Sequence, residues 1–518
     1  MFKKFWLAMI LCLIVPVGAM AQEATDDVEF DKYSTTTEQL LMLKGVLNTT
    51  LPAPLVDKFF FIHGFNRFKT AITESDPNTA AVQQWCMTAV AGTQTRRGAL
   101  DQNMEVEITQ RAVEERCSDV FKYDADVIHN CVRKTTEEGK PYLACTLNSK
   151  ITFSKFKAMA ANGKVSWVPD TTFGKGGKVE VKSSQRASAS LDKGTTVEQA
   201  TASALNTLVP MTAIFGKRKM LDVQQFQVHA PVISAKKGVA KSCLGRDTVE
   251  LDLPFIVMVN AGGKEVRKGF VKARKIYDGC DETPEILEQA AKSKRKPEIK
   301  PMEAQIILGG KDVKAGHTMW EMPSIGLNVG GGLSFSQAMG GVGSGTFKMW
   351  AAPAVNAEFN LAPYTGISEF HVWGSLKFSG FDDDDAYLNG KFQDVLDKNG
   401  VPGTVDTVAF MFQFDAGVLK RWYSRFFIFG LMGGINLGYY ASLANLGDYS
   451  VGALGVGLSG QIELGFQLAP RFILDFRFGY RFEAGLAMLS DGTDAVGDPK
   501  FIGVFHGPVA TLNLAYNF

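Results

Sequence analysis

In Leu454-Gly455-Val456-Gly457-Leu458-Ser459-Gly460-Gln461-Ile462-Glu463-Leu464-Gly465-Phe466-Gln467-Leu468, every even-numbered residue is apolar or small. After Ala469-Pro470-Arg471 the pattern resumes through Phe472, Leu474, Phe476, Phe478, Tyr480 and Phe482, with Asp475, Arg477, Arg481 and Glu483 between them. A period of two sustained this long predicts two β-strands within Val451 to Leu489. One face is greasy and aromatic, and the other carries charges that need solvent or partners.

A strand in a soluble sheet commonly has about 5–6 residues, whereas about 9–11 tilted residues cross a bilayer. These strands are long enough to cross. In hydrocarbon every backbone N–H and C=O needs a partner, so a spanning sheet must close on itself. The flanking sequence supplies the remaining strands at Ile325–Phe335, Phe347–Leu361, Phe370–Phe378, Val408–Val418, Phe427–Tyr439 and Ile502–Phe518. The fold class expected is a membrane β-barrel of eight antiparallel strands, preceded by an α+β region.

The connections support this count. Those after the second, fourth and sixth strands are short, at Pro363–Gly366, Arg421–Arg425 and Ala469–Arg471. The others are longer and polar or glycine-rich, the longest running from Gly380 to Thr407. Short turns at one end and long loops at the other are a property of outer-membrane barrels. The chain's last residues, Leu512-Asn513-Leu514-Ala515-Tyr516-Asn517-Phe518, alternate and finish on Phe.

With Leu514, Tyr516 and Phe518, this segment resembles the C-terminal signal by which the barrel-assembly machinery recognises bacterial outer-membrane proteins. The last 195 or so residues resemble the eight-stranded barrels of the OmpA and OmpX type, although here the extra region precedes the barrel. The resemblance implies contact with outer-membrane lipid and with the assembly machinery. An even strand count then leaves residues 22–322 in the periplasm, where a protein or peptidoglycan partner is expected.

Residues 1–21 read as a signal peptide: Lys3 and Lys4, an apolar run from Phe5 to Val17, and Ala19-Met20-Ala21 before the cut. The expected domains are 22–173, a helix-rich α+β region; 174–280, an α+β module; 281–322, a linker; and 323–518, the barrel. Helices are expected over Thr37–Leu47, from Asp76-Pro77-Asn78 to Val90, within Leu100–Val132 and over Thr195–Ile214. Strands are expected in Pro141–Lys157, with a hairpin at Asn162-Gly163, and around Val179 and Val181. More are expected in Val223–Val232, Val249–Val259 and Val266–Ile276, the closing ones able to form a small barrel.

From Pro323 onward there are 11 Lys and Arg against 17 Asp and Glu, or −6, while residues 22–322 hold 42 against 37, or +5. Neither part is polarised enough to imply nucleic acid. The basic cluster Lys292-Ser293-Lys294-Arg295-Lys296 reads as a solvated linker. Cys86, Cys117, Cys131, Cys145, Cys243 and Cys280 all precede the barrel, and an even number in an exported chain suggests disulfides. Cys243 with Cys280 is the preferred pair; the other four allow three connectivities. No C-x-x-C occurs, and no cofactor or metal is expected.

An eight-stranded barrel is just filled by its own side chains. Asp415, Glu463, Asp475, Arg477, Arg481 and Glu483, with Gln413 and Gln461, are expected to point inward. An isolated charge there costs several kcal/mol, so they must pair. A structural ion-pair network is expected rather than a conduction path. His371, with Ser375 nearby, is the nearest approach to a catalytic pair and lacks a local motif. The acidic run Asp382–Asp385 reads as a solvated loop, and Asp397-Lys398-Asn399-Gly400 fails as an EF-hand because Val395 would fill the first ligand position. A non-enzymatic anchor for a periplasmic interaction domain is therefore expected, ahead of a small pore or a lipid-modifying enzyme.

Overall fold

A computed structural model describes residues 40–518 apart from 66–67, 69–74, 88–116, 119, 162–163, 192–193, 247, 262–263, 278–299, 338–348, 383–385, 402–403, 405–407, 443–449 and 491–494. The leader, Cys280, the basic cluster at 292–296 and Asp383 to Asp385 lie outside these residues. The described chain forms two sheets followed by a barrel.

In the first sheet, β1 (Leu41–Thr49) runs parallel to β2 (Val120–Thr135), which pairs antiparallel with β3 (Pro141–Ala161). The far end of β3 carries β4 (Lys164–Pro169), and its near part carries β5 (Lys178–Ser190). Helices α1 (Ala53–His63) and α2 (Val197–Leu221) share one core with these strands, including Phe59, Phe121, Phe153, Leu208 and Phe226. Thr196 starts α2 with a capping box to Gln199, which satisfies two otherwise orphaned N–H groups.

Three expectations are corrected here. The described part of Thr37–Leu47 is not a helix, because Leu41 and Leu43 bury on one face of β1 while Leu40 and Met42 bury on the other. A short run buried on both faces has no period to separate strand from helix. The C-terminal part of Leu100–Val132 is likewise strand β2, whose ladder with β3 sets Cys131 opposite Cys145. A helix does follow Asp76-Pro77-Asn78, over 80–87. Finally, the boundary at 173/174 does not divide the packing, since β5 and α2 complete the core begun by β1 to β3.

The second sheet has the order β6-β12-β9-β10-β11-β8-β7 and is open, so its strands do not make a small barrel. Its members are β6 (His229–Pro231), β7 (Ser234–Lys236), β8 (Val239–Ser242), β9 (Pro254–Ala261), β10 (Lys264–Lys275), β11 (Met302–Leu308) and β12 (Thr318–Glu321). The expected linker 281–322 thus supplies two strands. Met302, Ala304 and Ile306 of β11 bury against Val271, Ala273 and Phe255, and without them that face would be open to water.

Cys86 bonds to Cys117 and Cys131 to Cys145. Cys243 is also disulfide-bonded, while its expected partner Cys280 lies outside the described residues.

Only residues 322–326 separate β12 from the barrel. The barrel strands are β13 (Leu327–Gln337), β14 (Met349–Asn360), β15 (Phe370–Asp382), β16 (Val408–Ser424), β17 (Phe427–Ser442), β18 (Ser450–Ala469), β19 (Phe472–Ser490) and β20 (Ala495–Asn517). Every neighbour is antiparallel, and β20 closes on β13 with Asn517 opposite Asn328. The outside is greasy: Leu458 is 64% exposed, Phe478 54% and Val355 57%. Inside, Glu463 is 0%, Asp415 1% and Arg477 2% exposed. That inversion of a soluble protein's pattern is stable only with lipid outside.

The chain enters and leaves at the end that carries the short turns, here called the turn end. At the opposite, loop end, helix α3 (Ala386–Asn399) lies against β19 and β20 and buries Phe392, Val395 and Leu396. The inward residues of that end, Val451, Ala453, Ala487 and Leu489, are buried as well.

Candidate functional site in the lumen and at the turn end

Polar residues of alternating parity meet inside the barrel in two groups. Nearer the turn end, Arg421 of β16 bridges two strands. Its Nη1 lies 2.7 Å from Glu358 Oε2, and its Nε and Nη2 donate to the two oxygens of Glu463 at 2.6 Å each. Arg477 pairs with Glu358 and, at 2.7 Å, with Asp475. Asn513 donates to Asp475 at 2.9 Å and accepts from Asn356 at 3.1 Å. Bidentate arginine–carboxylate forks are the strong form of such contacts. Gly430 makes room for one of them, because a Cβ there would stand 2.6 Å from Glu463 Oε2.

Nearer the loop end, Lys377 pairs with Asp415 at 2.6 Å and Arg481 pairs with Glu483. Tyr440 donates to Glu483 at 2.6 Å and receives a bond from Gln413 at 3.3 Å. The six expected lumen residues thus lie inside the barrel, in two clusters rather than one. Arg421, Glu358 and Lys377 were not among them. The sequence pattern puts Arg421 in the Arg421–Arg425 turn, but β16 runs on to Ser424, and the parity of Asp415, Gly417 and Leu419 carries Arg421 inward.

A third group seals the turn end and joins the second sheet to the barrel. Lys272 and Arg274 of β10 reach Glu369, in the β14–β15 connection, at 2.8 Å each. Arg274 also pairs with Asp252, which accepts from Ser368 Oγ at 2.7 Å. Lys272 lies 4.8 Å over the ring of Tyr423, whose carbonyl accepts from Gln305 at 2.8 Å. Beside these polar contacts, Phe270, Ile307 and Met322 pack with Tyr423. Burial alone would raise the Glu369 carboxyl, but Lys272 and Arg274 outweigh it and hold it well below the usual carboxylate range. Burial likewise opposes charge on Lys272, and Glu369 reverses that, so its pKa is raised.

His371 Nε2 lies 3.2 Å from Glu369 Oε2 at the lumen side of this joint. Ser375 faces the same side of β15 four residues on, roughly 13 Å away at strand rise, so the two are not a nucleophile and its base. His506 instead contacts Tyr480 Oη at 2.5 Å. Of the three residues expected to form a C-terminal signal, Leu514 is exposed on the outer face. The Tyr516 ring packs on Phe472 and Phe518, and the Phe518 N–H donates to Leu327 at 2.8 Å across the closing seam.

No family model and no curated protein matches the chain. Among solved structures, Neisserial surface protein A is similar at 11% identity, covering 37% of this chain and 97% of its own, with a TM-score of 0.24. Ail, the attachment invasion locus protein of Yersinia pestis, is similar at 15% identity over 37% of this chain and 97% of its own, TM-score 0.22. A major outer membrane protein from Thermus thermophilus gives 14%, 37%, 99% and 0.24 in the same order. On its own geometry, with a closed ladder, a greasy exterior and paired charges within, residues 327–517 are an eight-stranded membrane β-barrel.

Proposed function

We propose that the chain is a non-enzymatic protein of a Gram-negative-type outer membrane. Its closed, side-chain-filled barrel anchors residues 22–322 in the periplasm as an interaction domain for an envelope protein or peptidoglycan. The joint of Asp252, Lys272 and Arg274 with Glu369 carries this reading. Buried ion pairs of this kind favour one arrangement of two bodies, because any other docking would leave a charge buried without its partner.

The short-turn end of such barrels faces the periplasm, and the two sheets sit at that end. Leu514 and Tyr516 lie on the closing strand and Phe518 directly follows it, where the assembly machinery would read them. Among the described residues the middle of the lumen is occupied by ion pairs, which speaks for a filled barrel over a pore.

Two measurements on the full chain test this. Reconstituted in a planar bilayer, it is expected to give no conductance steps. In intact cells the amino-terminal region is expected to resist added protease until the outer membrane is permeabilised. Regular conductance steps would favour a pore, and digestion in intact cells would place the region on the other side.

A further inference from the structure

A groove of about 1050 Å³ runs between the β7–β8 hairpin, the 310–315 segment and the β16–β17 turn of the barrel. Lys236, Lys237, Lys275, Lys311, Lys314 and Arg425 line it. The acid on its lining is Glu303, already held by Lys241 at 3.0 Å and Lys275 at 3.1 Å, while the exposed Asp312 of the 310–315 segment lies off the lining. Arg274, at the groove's floor, is committed to Asp252 and Glu369. Lys236, Lys237, Lys311, Lys314 and Arg425 are all exposed, and none forms an ion pair among the described residues. The lining of the groove therefore carries an excess of positive charge.

Its position says what could neutralise it. Arg425 sits in a turn flanked by Trp422, 46% exposed, and Phe426, 51% exposed, on the lipid side of the barrel. Aromatic residues at a barrel's rim mark the headgroup level of a bilayer, so the groove opens at that depth. Lys237 and Arg425 hold φ of 52° and 55°, where glycine is the unstrained choice. Both hairpin tips present a long cation there instead.

We infer that this groove binds the phosphate of an anionic phospholipid headgroup in the leaflet at the turn end, fastening the second sheet to the membrane surface as well as to the barrel. The inference rests on the barrel being embedded in lipid, and not on which compartment the turn end faces. Each cation near an anionic surface is worth roughly a fivefold gain in affinity, screened by salt.

The test uses the full chain in nanodiscs of phosphatidylcholine containing a minority of phosphatidylglycerol, with the motionally restricted fraction of each spin-labelled lipid read by electron spin resonance. The wild type is expected to retain phosphatidylglycerol severalfold over phosphatidylcholine at low salt, and less at about 0.5 M salt, where screening is strong. The quadruple variant Lys236→Gln, Lys237→Gln, Lys311→Gln, Lys314→Gln is expected to bring the ratio close to one, and Arg425→Gln alone to lower it partway. Heat-modifiable migration on gels checks that each variant's barrel is folded.

Equal retention of both lipids by the inserted wild type, or a ratio that the quadruple variant leaves unchanged, overturns the inference while leaving the barrel reading intact. Failure to insert at all would sink both. A soluble arm separates the sources. Inorganic phosphate at millimolar concentration is expected not to displace the restricted phosphatidylglycerol, and full displacement would mean a free phosphate site and overturn the lipid assignment.

Discussion

The backbone N–H of Glu369 donates to the Asp252 carboxylate, and both residues hold positive φ, 51° and 66°. Each such backbone costs of order 1 kcal/mol or more in a non-glycine residue. The two strained turns, one from the second sheet and one from the barrel, aim their carboxylates at a single guanidinium, Arg274. The joint is thus built from both sides.

Removing one partner at this joint should be severe. Lys272→Met leaves Glu369 buried with less compensation, and is expected to cost about 3–5 kcal/mol of joint stability. The check is faster proteolysis between the second sheet and the barrel, with the barrel itself still heat-modifiable. Lys272→Met combined with Glu369→Leu is expected to recover part of the loss.

The joint's pH window follows from the same pair. Glu369 has a depressed folded pKa, so its contribution is complete above the ordinary value of 4.5 and is lost as pH falls through the folded one. Lys272 has a raised folded pKa, so its contribution is complete below 10.5 and is lost as pH rises further. Joint stability is expected to be flat between those values and to fall on both sides, as read by the rate of proteolysis between the second sheet and the barrel at graded pH.

In the lumen, Arg421→Ala takes away the closest partner of Glu463 and one of the two cationic partners of Glu358, leaving both carboxylates to Arg477. A loss of about 3–5 kcal/mol is expected, seen as a lower urea midpoint for the folded, heat-modifiable band. Arg421→Lys is expected to restore little, because an ammonium cannot make both forks.

On the outer face, Leu464 and Phe476 stand opposite each other on β18 and β19. Leu464→Arg or Phe476→Arg is expected to cost about 2–4 kcal/mol if they lie near the bilayer midplane, with reduced insertion into vesicles. Unchanged insertion would contradict a lipid-facing exterior.

In the first sheet, burial lowers the pKa of His63 to about 3. The unfolded chain binds the proton below 6.5 and the folded chain does not, so stability should fall between about 6.5 and 3, by at most ~1.4 kcal/mol per pH unit. Hydrogen exchange of α1 and α2 reads this directly, and His63→Leu should flatten the slope. Gly216→Ala puts a Cβ 2.5 Å from His63 Nε2 and should loosen the same helix pair.

The barrel was legible because lipid selects one parity for many residues in succession, as Leu454 to Leu468 and Phe472 to Phe482 show. Arg421 escaped because strand β16 was expected to stop at Val418, three residues short of it. The joint escaped for a different reason. Lys272 and Glu369 are 97 residues apart, and neither carries a local pattern that names the other. Strand β1 escaped because burial on both faces erases the period, and β11 because its seven residues directly follow Pro297 and Pro301, residues that break regular structure.

The five residues between β12 and β13 reach at most about 17 Å when fully drawn out. A tether so short keeps the second sheet's cations near Glu369 even after the ion pairs let go. The local concentration is then millimolar or higher, so a detached sheet is recaptured by the same barrel rather than lost or exchanged with a neighbour's.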